Sequence, residues 1–224
     1  GVVGFKTHAK MMLILRRENG ELRRYAHLGT GNYHAGNARL YTDYSLLTSD
    51  DALCEDVGKM FSQLIGMGKT LRMKKLLHAP FTLKKGMLDM IARETQFALD
   101  GKPAHIIAKF NSLTDPGMIQ ALYRASQAGV SIDLVIRGVC CLRPGVPGLS
   151  DTIRVHSLLG RYLEHARIYA FGNGGVAEVY FGSADWMSRN IDGRIEVGTP
   201  IYDERLKQRI LDILELQLSD TCKA

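Results

Sequence analysis

The chain is poor in the features that anchor or staple a protein. No apolar run approaches the ~18 residues needed to cross a bilayer, and no secretory leader opens the sequence. The four cysteines, Cys54, Cys140, Cys141 and Cys222, have no metal-ligand spacing, and adjacent Cys140 and Cys141 rarely bridge. Disulfide scaffolds and cysteine-bound zinc are therefore excluded. Reduced thiols and a cytoplasmic setting are expected. There is no initiator methionine: Gly1 to Phe5 run almost directly into a strand, and Ala224 follows soon after an amphipathic helix over 206–218. These ends lead us to expect a piece of a longer protein.

What is present is an ordinary globular composition, 46% hydrophobic and 23% charged over 224 residues. That length supports a core of normal size. Twenty-nine Lys and Arg against 23 Asp and Glu give a formal charge of +6, which favours an anionic partner. From Lys69 to Lys85 there are six cations and no acid. This stretch reads as a solvated connector between lobes, so the chain divides into 1–75, the end of a first lobe, and 76–224, a second one.

Met11 to Leu15 is a continuous apolar run that fits a buried strand. Glu18-Asn19-Gly20 is a hairpin turn, with Leu22 to Leu28 returning. Ala38 to Leu47 reads as a third strand, and Ser49 or Asp50 caps a helix. In the second lobe, helices are expected over 83–99, from Asp115-Pro116 to Gly129, and over 206–218. Strands are expected over 105–110, 131–137, 153–156, after His165, over 176–182 and over 194–201. Strand, helix, strand at this spacing makes a parallel unit. The class is α/β, a mixed sheet flanked by helices, with one partial and one nearly complete lobe.

The strongest signal is internal duplication. His8-Ala9-Lys10 and His165-Ala166-Arg167 each lead into an apolar run, a hairpin and a small-residue turn, Gly29-Thr30-Gly31-Asn32 and Gly182-Ser183-Ala184-Asp185. Asn37 and Asn190, Asp43 and Glu196, and Asp50 and Asp203 then keep step without a gap. A repeat of about fifty residues suggests two facing half-sites. On a strand, residues two apart share a face, so each histidine projects with a cation. Neutral imidazole can attack phosphorus while the cation offsets charge on the phosphoryl oxygens. Asp43 and Glu196 can orient the imidazoles or pair on the surface with Arg39 and Arg194. Arg137 lies at the carboxyl end of a strand, where ligands of open α/β sheets gather, and Arg143 and Arg161 can assist. Gly66-Met67-Gly68-Lys69-Thr70 imitates the end of a P-loop, but Gln63 replaces its first glycine and a helix precedes it. His27, His34, His78, His105 and His156 have no repeat partner and read as structural; Trp186 and Met187 read as packing residues.

Gly4 to Lys10, His27 to Tyr33, Ala38 to Asp43, Ile136-Arg137-Gly138, Tyr162 to Arg167 and Ser183 to Met187 together closely resemble the bacterial polyphosphate kinases of the histidine-phosphorylating type. The resemblance implies their C-terminal catalytic region and a phospholipase D-like fold. In that fold an aspartate follows His-x-Lys after four residues. Here Leu15 and Gly172 occupy those positions, which argues against ordinary phosphodiester hydrolysis. By resemblance His8 takes the terminal phosphate of ATP and passes it reversibly to polyphosphate, and His165 is the second catalytic histidine. Tyr41 and Arg137 match the positions that contact the nucleotide; beside the resemblance, the residues themselves make Lys10, Arg167 and Asn32 candidates for phosphate binding, and Asp43 and Glu196 candidates for orienting the histidines. The resemblance further implies Mg²⁺ with unassigned ligands, ATP, ADP and polyphosphate as partners, no nucleic acid and a homo-oligomeric parent. It leaves peripheral membrane association of the parent open. Two other readings are a phospholipase D-like phosphodiesterase and a non-catalytic polyanion-binding fragment. The isolated fragment is expected to be inactive.

Overall fold

A computed structural model describes residue 2, residues 4–66 and residues 72–220. In chain order the elements are β1 (Lys6–Thr7), β2 (Lys10–Glu18), β3 (Glu21–Gly29), α1 (Ala35–Ala38), β4 (Tyr41–Thr42), β5 (Ser45–Thr48), α2 (Asp51–Leu64) and β6 (Leu77–Ala79). Then come α3 (Leu83–Leu99), β7 (His105–Phe110), α4 (Pro116–Gln127), β8 (Ser131–Ile136) and β9 (Ile153–His156). The chain continues with β10 (Leu163–Glu164), β11 (Arg167–Phe171), a 3₁₀ turn (Asn173–Gly175), β12 (Glu178–Gly182), α5 (Ser188–Ile191), β13 (Arg194–Pro200) and α6 (Glu204–Leu218).

Local chemistry sets many of these boundaries. Asn19 and Gly20 take φ of 50° and 86°, as a two-residue hairpin turn requires. Asp50, Asp115 and Asp203 accept hydrogen bonds from the first free N–H groups of α2, α4 and α6. Gly129, at φ 96°, follows the end of α4.

The main sheet has eight strands in the order β1-β13-β12-β11-β7-β8-β9, with β6 also on β13. It is mixed: β7, β8 and β9 are parallel, while β7-β11, β11-β12 and β12-β13 are antiparallel. A separate three-stranded sheet, β2-β3-β5, packs on α2. One core lies among α3, α4 and the central strands, with Trp186 between Phe110 and Tyr169. The other joins α2 and the small sheet to α6 and the opposite face of β11-β12-β13.

Two short pairings interlock the copies. β1, just before His8, runs parallel to β13, Lys6 opposite Arg194 and Thr7 opposite Ile195. β10, just before His165, runs parallel to β4, Leu163 opposite Tyr41 and Glu164 opposite Thr42. The register therefore carries His8 toward Glu196 and His165 toward Asp43.

Three sequence expectations change. The run Met11 to Leu15 is not buried throughout: Met11 is buried, but Met12, Ile14 and Leu15 are 45%, 46% and 57% exposed. β2 is an edge strand, and only one face of its sheet meets α2. The span Ala38 to Leu47 is not one strand. His34 caps α1 through Nδ1, which accepts from Asn37 N–H at 3.2 Å, and the strand then breaks at Asp43 and Tyr44. Tyr44 N–H donates to Thr30 Oγ1 at 2.9 Å, which turns the Asp43 carboxylate toward the interior of the site. Lastly, Lys69 to Lys85 is only partly a connector. Residues 67–71, with most of the P-loop imitation, lie outside the described residues, as does Cys222. Beyond them the buried Asp56 carboxylate accepts the backbone N–H groups of Lys74, Lys75 and Leu76, and β6 joins the main sheet.

Candidate active site

The duplication is repeated in hydrogen bonds. In the first copy Thr30 Oγ1 donates to Asp43 Oδ1 at 2.6 Å. In the second, Ser183 Oγ donates to Glu196 Oε2. Both hydroxyls also accept a backbone N–H, from Tyr44 at 2.9 Å and from Val197 at 3.2 Å. Each hydroxyl thus fixes one carboxylate. The small residues of the turns are required by this packing: a Cβ on Gly31 would come within 2.6 Å of Asp43 Oδ2.

The carboxylates then cross over. His8 Nδ1 lies 2.8 Å from both oxygens of Glu196. His165 Nδ1 lies 2.8 Å from Asp43 Oδ1. Each imidazole is thus held by the copy it does not belong to. With Nδ1 as the donor to a carboxylate, the neutral ring presents an Nε2 lone pair. Neither acid is the surface partner of Arg39 or Arg194.

The two cations are equivalent as well. Lys10 Nζ donates to the His8 carbonyl at 2.6 Å, and Arg167 Nη1 donates to the His165 carbonyl at 2.7 Å. Both are buried. Burial pulls the Lys10 ammonium down to about 8; Glu196 and Asp43 oppose the fall, and Arg167 and Arg194 add to it. Lys10 therefore shares one electrostatic environment with groups from both copies. Asp185 takes the Arg167 guanidinium at 3.2 and 3.4 Å.

The other sequence candidates are distributed around this centre. The Tyr41 ring lies 4.9 Å from that of His165, tilted by 49°. Arg137 follows β8, half-buried, with Nε donating to Asn111 Oδ1 at 2.7 Å. Asn32 is exposed at its turn, and Arg143 and Arg161 are exposed in loops. Sequence reading missed the work of four residues. Asn190 donates to Glu196 Oε1 at 2.9 Å, whereas its counterpart Asn37 sits in α1. Arg194, weighed only as a partner for Glu196, lies two residues before it and acts on the charge of Lys10. Asp185 was visible only as a turn residue. Asn111 had one usable signal, its place at the carboxyl end of β7, where ligands collect.

A protein-held magnesium site does not fit these residues. Among the described residues no group of three or more His, Cys, Asp or Glu gathers around a common point. Asp43, Glu196 and Asp185 are already hydrogen-bonded to histidine or arginine. A Mg²⁺ ion here would be held by the phosphates it accompanies.

Fold and site together define a mixed-sheet α/β protein with two histidine-carboxylate half-sites. Yeast tyrosyl-DNA phosphodiesterase, in a mutant form, shares the fold at a TM-score of 0.50 and 9% identity, over 89% of this chain and 68% of that one. The chain belongs to the polyphosphate kinase family: the profile of polyphosphate kinase C-terminal domain 1 matches residues 1–70, and that of C-terminal domain 2 matches residues 76–224. Polyphosphate kinase of Pseudomonas syringae pv. tomato is 75% identical over 98% of this chain and 30% of its own length. The crystal structure of polyphosphate kinase from Porphyromonas gingivalis matches with a TM-score of 0.93 and 43% identity, over 99% of this chain and 34% of that one. The chain spans about a third of the length of the curated relatives it matches.

Proposed function

We propose that this region carries the phosphotransfer site of an ATP:polyphosphate phosphotransferase working through phosphohistidine. One observation carries the reading: His8 Nδ1 sits between both oxygens of the buried Glu196, so Nε2 is the nucleophile. In the first step the Nε2–phosphorus bond forms as the bond from the γ-phosphorus to the bridging oxygen breaks, and ADP leaves with the electron pair. In the second, a terminal oxygen of polyphosphate attacks the same phosphorus and Nε2 leaves. Both steps run in either direction. Lys10 and Arg167 offset charge on the transferring oxygens. His165, held by Asp43, stabilises the transition state or moves a proton. Tyr41 and Arg137 hold the nucleotide, and Asn32 contacts phosphate from the rim.

The division into 1–75 and 76–224 belongs to this reading. So do Mg²⁺ carried on the nucleotide, a homo-oligomeric parent and a cytoplasmic setting. Among the described residues no helix is long and apolar enough to cross a membrane. A second reading, polyanion binding without turnover by this region alone, is supported by the charge of +6 and the partial length. The test is labelling of a full-length polyphosphate kinase containing this sequence with ATP labelled in the terminal phosphate. Acid-labile, base-stable label that disappears in His8→Ala is expected. Undiminished label in that variant overturns the proposal.

A further inference from the structure

Two cations assigned to ligand binding, Arg137 just past β8 and Arg167 at the start of β11, come from different parts of the sheet, yet one residue joins them. Asn111 follows the end of β7 and is buried. Its side-chain Oδ1 accepts from Arg137 Nε at 2.7 Å. Its backbone N–H donates to Asp185 Oδ1 at 2.7 Å. The same Asp185 oxygen accepts from Arg167 Nε at 3.2 Å, and its other oxygen accepts from Nη2 at 3.4 Å. The Asn111 carbonyl accepts from Gly138 N–H at 2.8 Å, which fixes the backbone just past Arg137. Gly138 makes that approach feasible, since a Cβ there would lie 2.7 Å from the Asn111 carbonyl oxygen and 2.8 Å from Ser112 Oγ.

We propose that Asn111 is a positioning residue that fixes the spacing between Arg137 and Arg167, so that the two guanidinium groups grip neighbouring phosphates of one bound nucleotide. The inference rests on the reading of Arg137 and Arg167 as ligand-binding cations. Its physical basis is the fork of the guanidinium. With Nε held by Asn111, Arg137 keeps both Nη groups for a ligand, in an orientation that a free arginine side chain would have to surrender rotamer freedom to reach. Arg167 is held on the other side through the buried Asp185, whose carboxylate accepts from the Asn111 backbone. Removing the Asn111 side chain frees Arg137 and leaves the backbone bond to Asp185 in place. The loss should therefore fall on nucleotide binding and not on the histidine centre.

The experiment is a double-mutant cycle in a full-length polyphosphate kinase containing this region, with Asn111→Ala, Arg137→Ala and the pair. KM for ATP, kcat and labelling of His8 at saturating ATP are measured for each, with thermal midpoints alongside. Asn111→Ala is expected to raise KM about tenfold, as the loss of a hydrogen bond to a charged group would, while kcat and saturated labelling change less than about threefold. Asn111→Ala on the Arg137→Ala background is expected to add less than about twofold. Multiplicative effects in the pair, or an unchanged KM in Asn111→Ala beside a raised KM in Arg137→Ala, overturn the positioning role alone. An unchanged KM in Arg137→Ala overturns the underlying reading of that arginine. Asn111→Ser, too short to reach Arg137 Nε, replaces the alanine variant should that enzyme fail to fold, and the same outcomes decide.

Discussion

The two half-sites are built from matching parts, but their burial is opposite. At the first histidine the imidazole is the accessible member: the His8 side chain is 20% exposed over a Glu196 that is fully buried. At the second the carboxylate is the accessible member: the His165 side chain is 9% exposed and Asp43 is 20%. Glu196 also takes three donors, His8, Ser183 and Asn190, where Asp43 takes two, Thr30 and His165. The proposed nucleophile needs a reachable ring and a fixed tautomer, and the more exposed His8, held by Glu196, suits that role. A ring that only donates or receives a proton can sit deeper, beside an acid in contact with water. Duplication therefore gave matching parts, and their opposite burial is the difference on which the proposed division of roles rests.

Exchange of the histidines tests this asymmetry with the largest effect. In the full-length enzyme His8→Ala should abolish phosphoenzyme. His165→Ala should slow its formation by about 10²–10⁴-fold, the usual range for one acid-base group, while label still accumulates on long incubation. Equal loss in both, read by label against time, would erase the distinction.

The carboxylates come next. In Glu196→Gln the amide NH₂ can donate to Nδ1, which moves the ring proton to Nε2 and blocks attack. A fall on the order of 10³-fold in labelling rate is expected. Asp43→Asn should cost at least several-fold less, because that acid does not fix the nucleophile. Rates of a single turnover separate the two.

A smaller difference lies in the cations. A guanidinium in general stays charged at any working pH, whereas the Lys10 ammonium is held near 8 by its burial. Phosphate binding needs the charged form, so kcat/KM should fall as pH rises through about 8. Lys10→Arg should move that limb upward by more than one pH unit. Stability has the opposite sign: between about 8 and 10.5 the unfolded chain holds a proton that the folded chain does not, so rising pH relieves the cost of burying the ammonium. A pH profile whose alkaline limb is the same in both enzymes would remove Lys10 from the account.

The smallest effects concern the hydroxyls. Ser183→Ala leaves a fully buried carboxylate short of a donor, and about 1–3 kcal/mol of stability should be lost. Thr30→Ala should cost less, since Asp43 can turn to water. Denaturant midpoints compare the two directly.

Much of this was legible because the duplication is local and, past the small-residue turns, ungapped. His8 and Lys10 are spaced as His165 and Arg167 are, and Thr30 and Asp43 as Ser183 and Glu196 are, with a shorter hairpin between the two pairs in the second copy, and strand periodicity places each histidine beside its cation. The capped helices were legible for the same reason, since Asp50, Asp115 and Asp203 act on their own first turns. The crossover was not legible. Which acid serves which imidazole is decided by contacts 188 and 122 residues apart, and a repeat read along the chain suits a pairing within each copy equally well. The break at Asp43 was hidden in an alternating pattern, because the force behind it is the hydroxyl of Thr30 thirteen residues away. Apolar exposure on β2 was also invisible, since it depends on what covers a sheet and not on the strand itself.

The most direct test is which atom carries the phosphate. Phosphorus–nitrogen NMR of the phosphorylated full-length enzyme, with histidine labelled in the ring, identifies it. A signal from Nε2 of His8, with its Nδ1 still protonated against Glu196, is the predicted result. Phosphate on Nδ1 of that ring, or on His165 instead, would contradict the arrangement described.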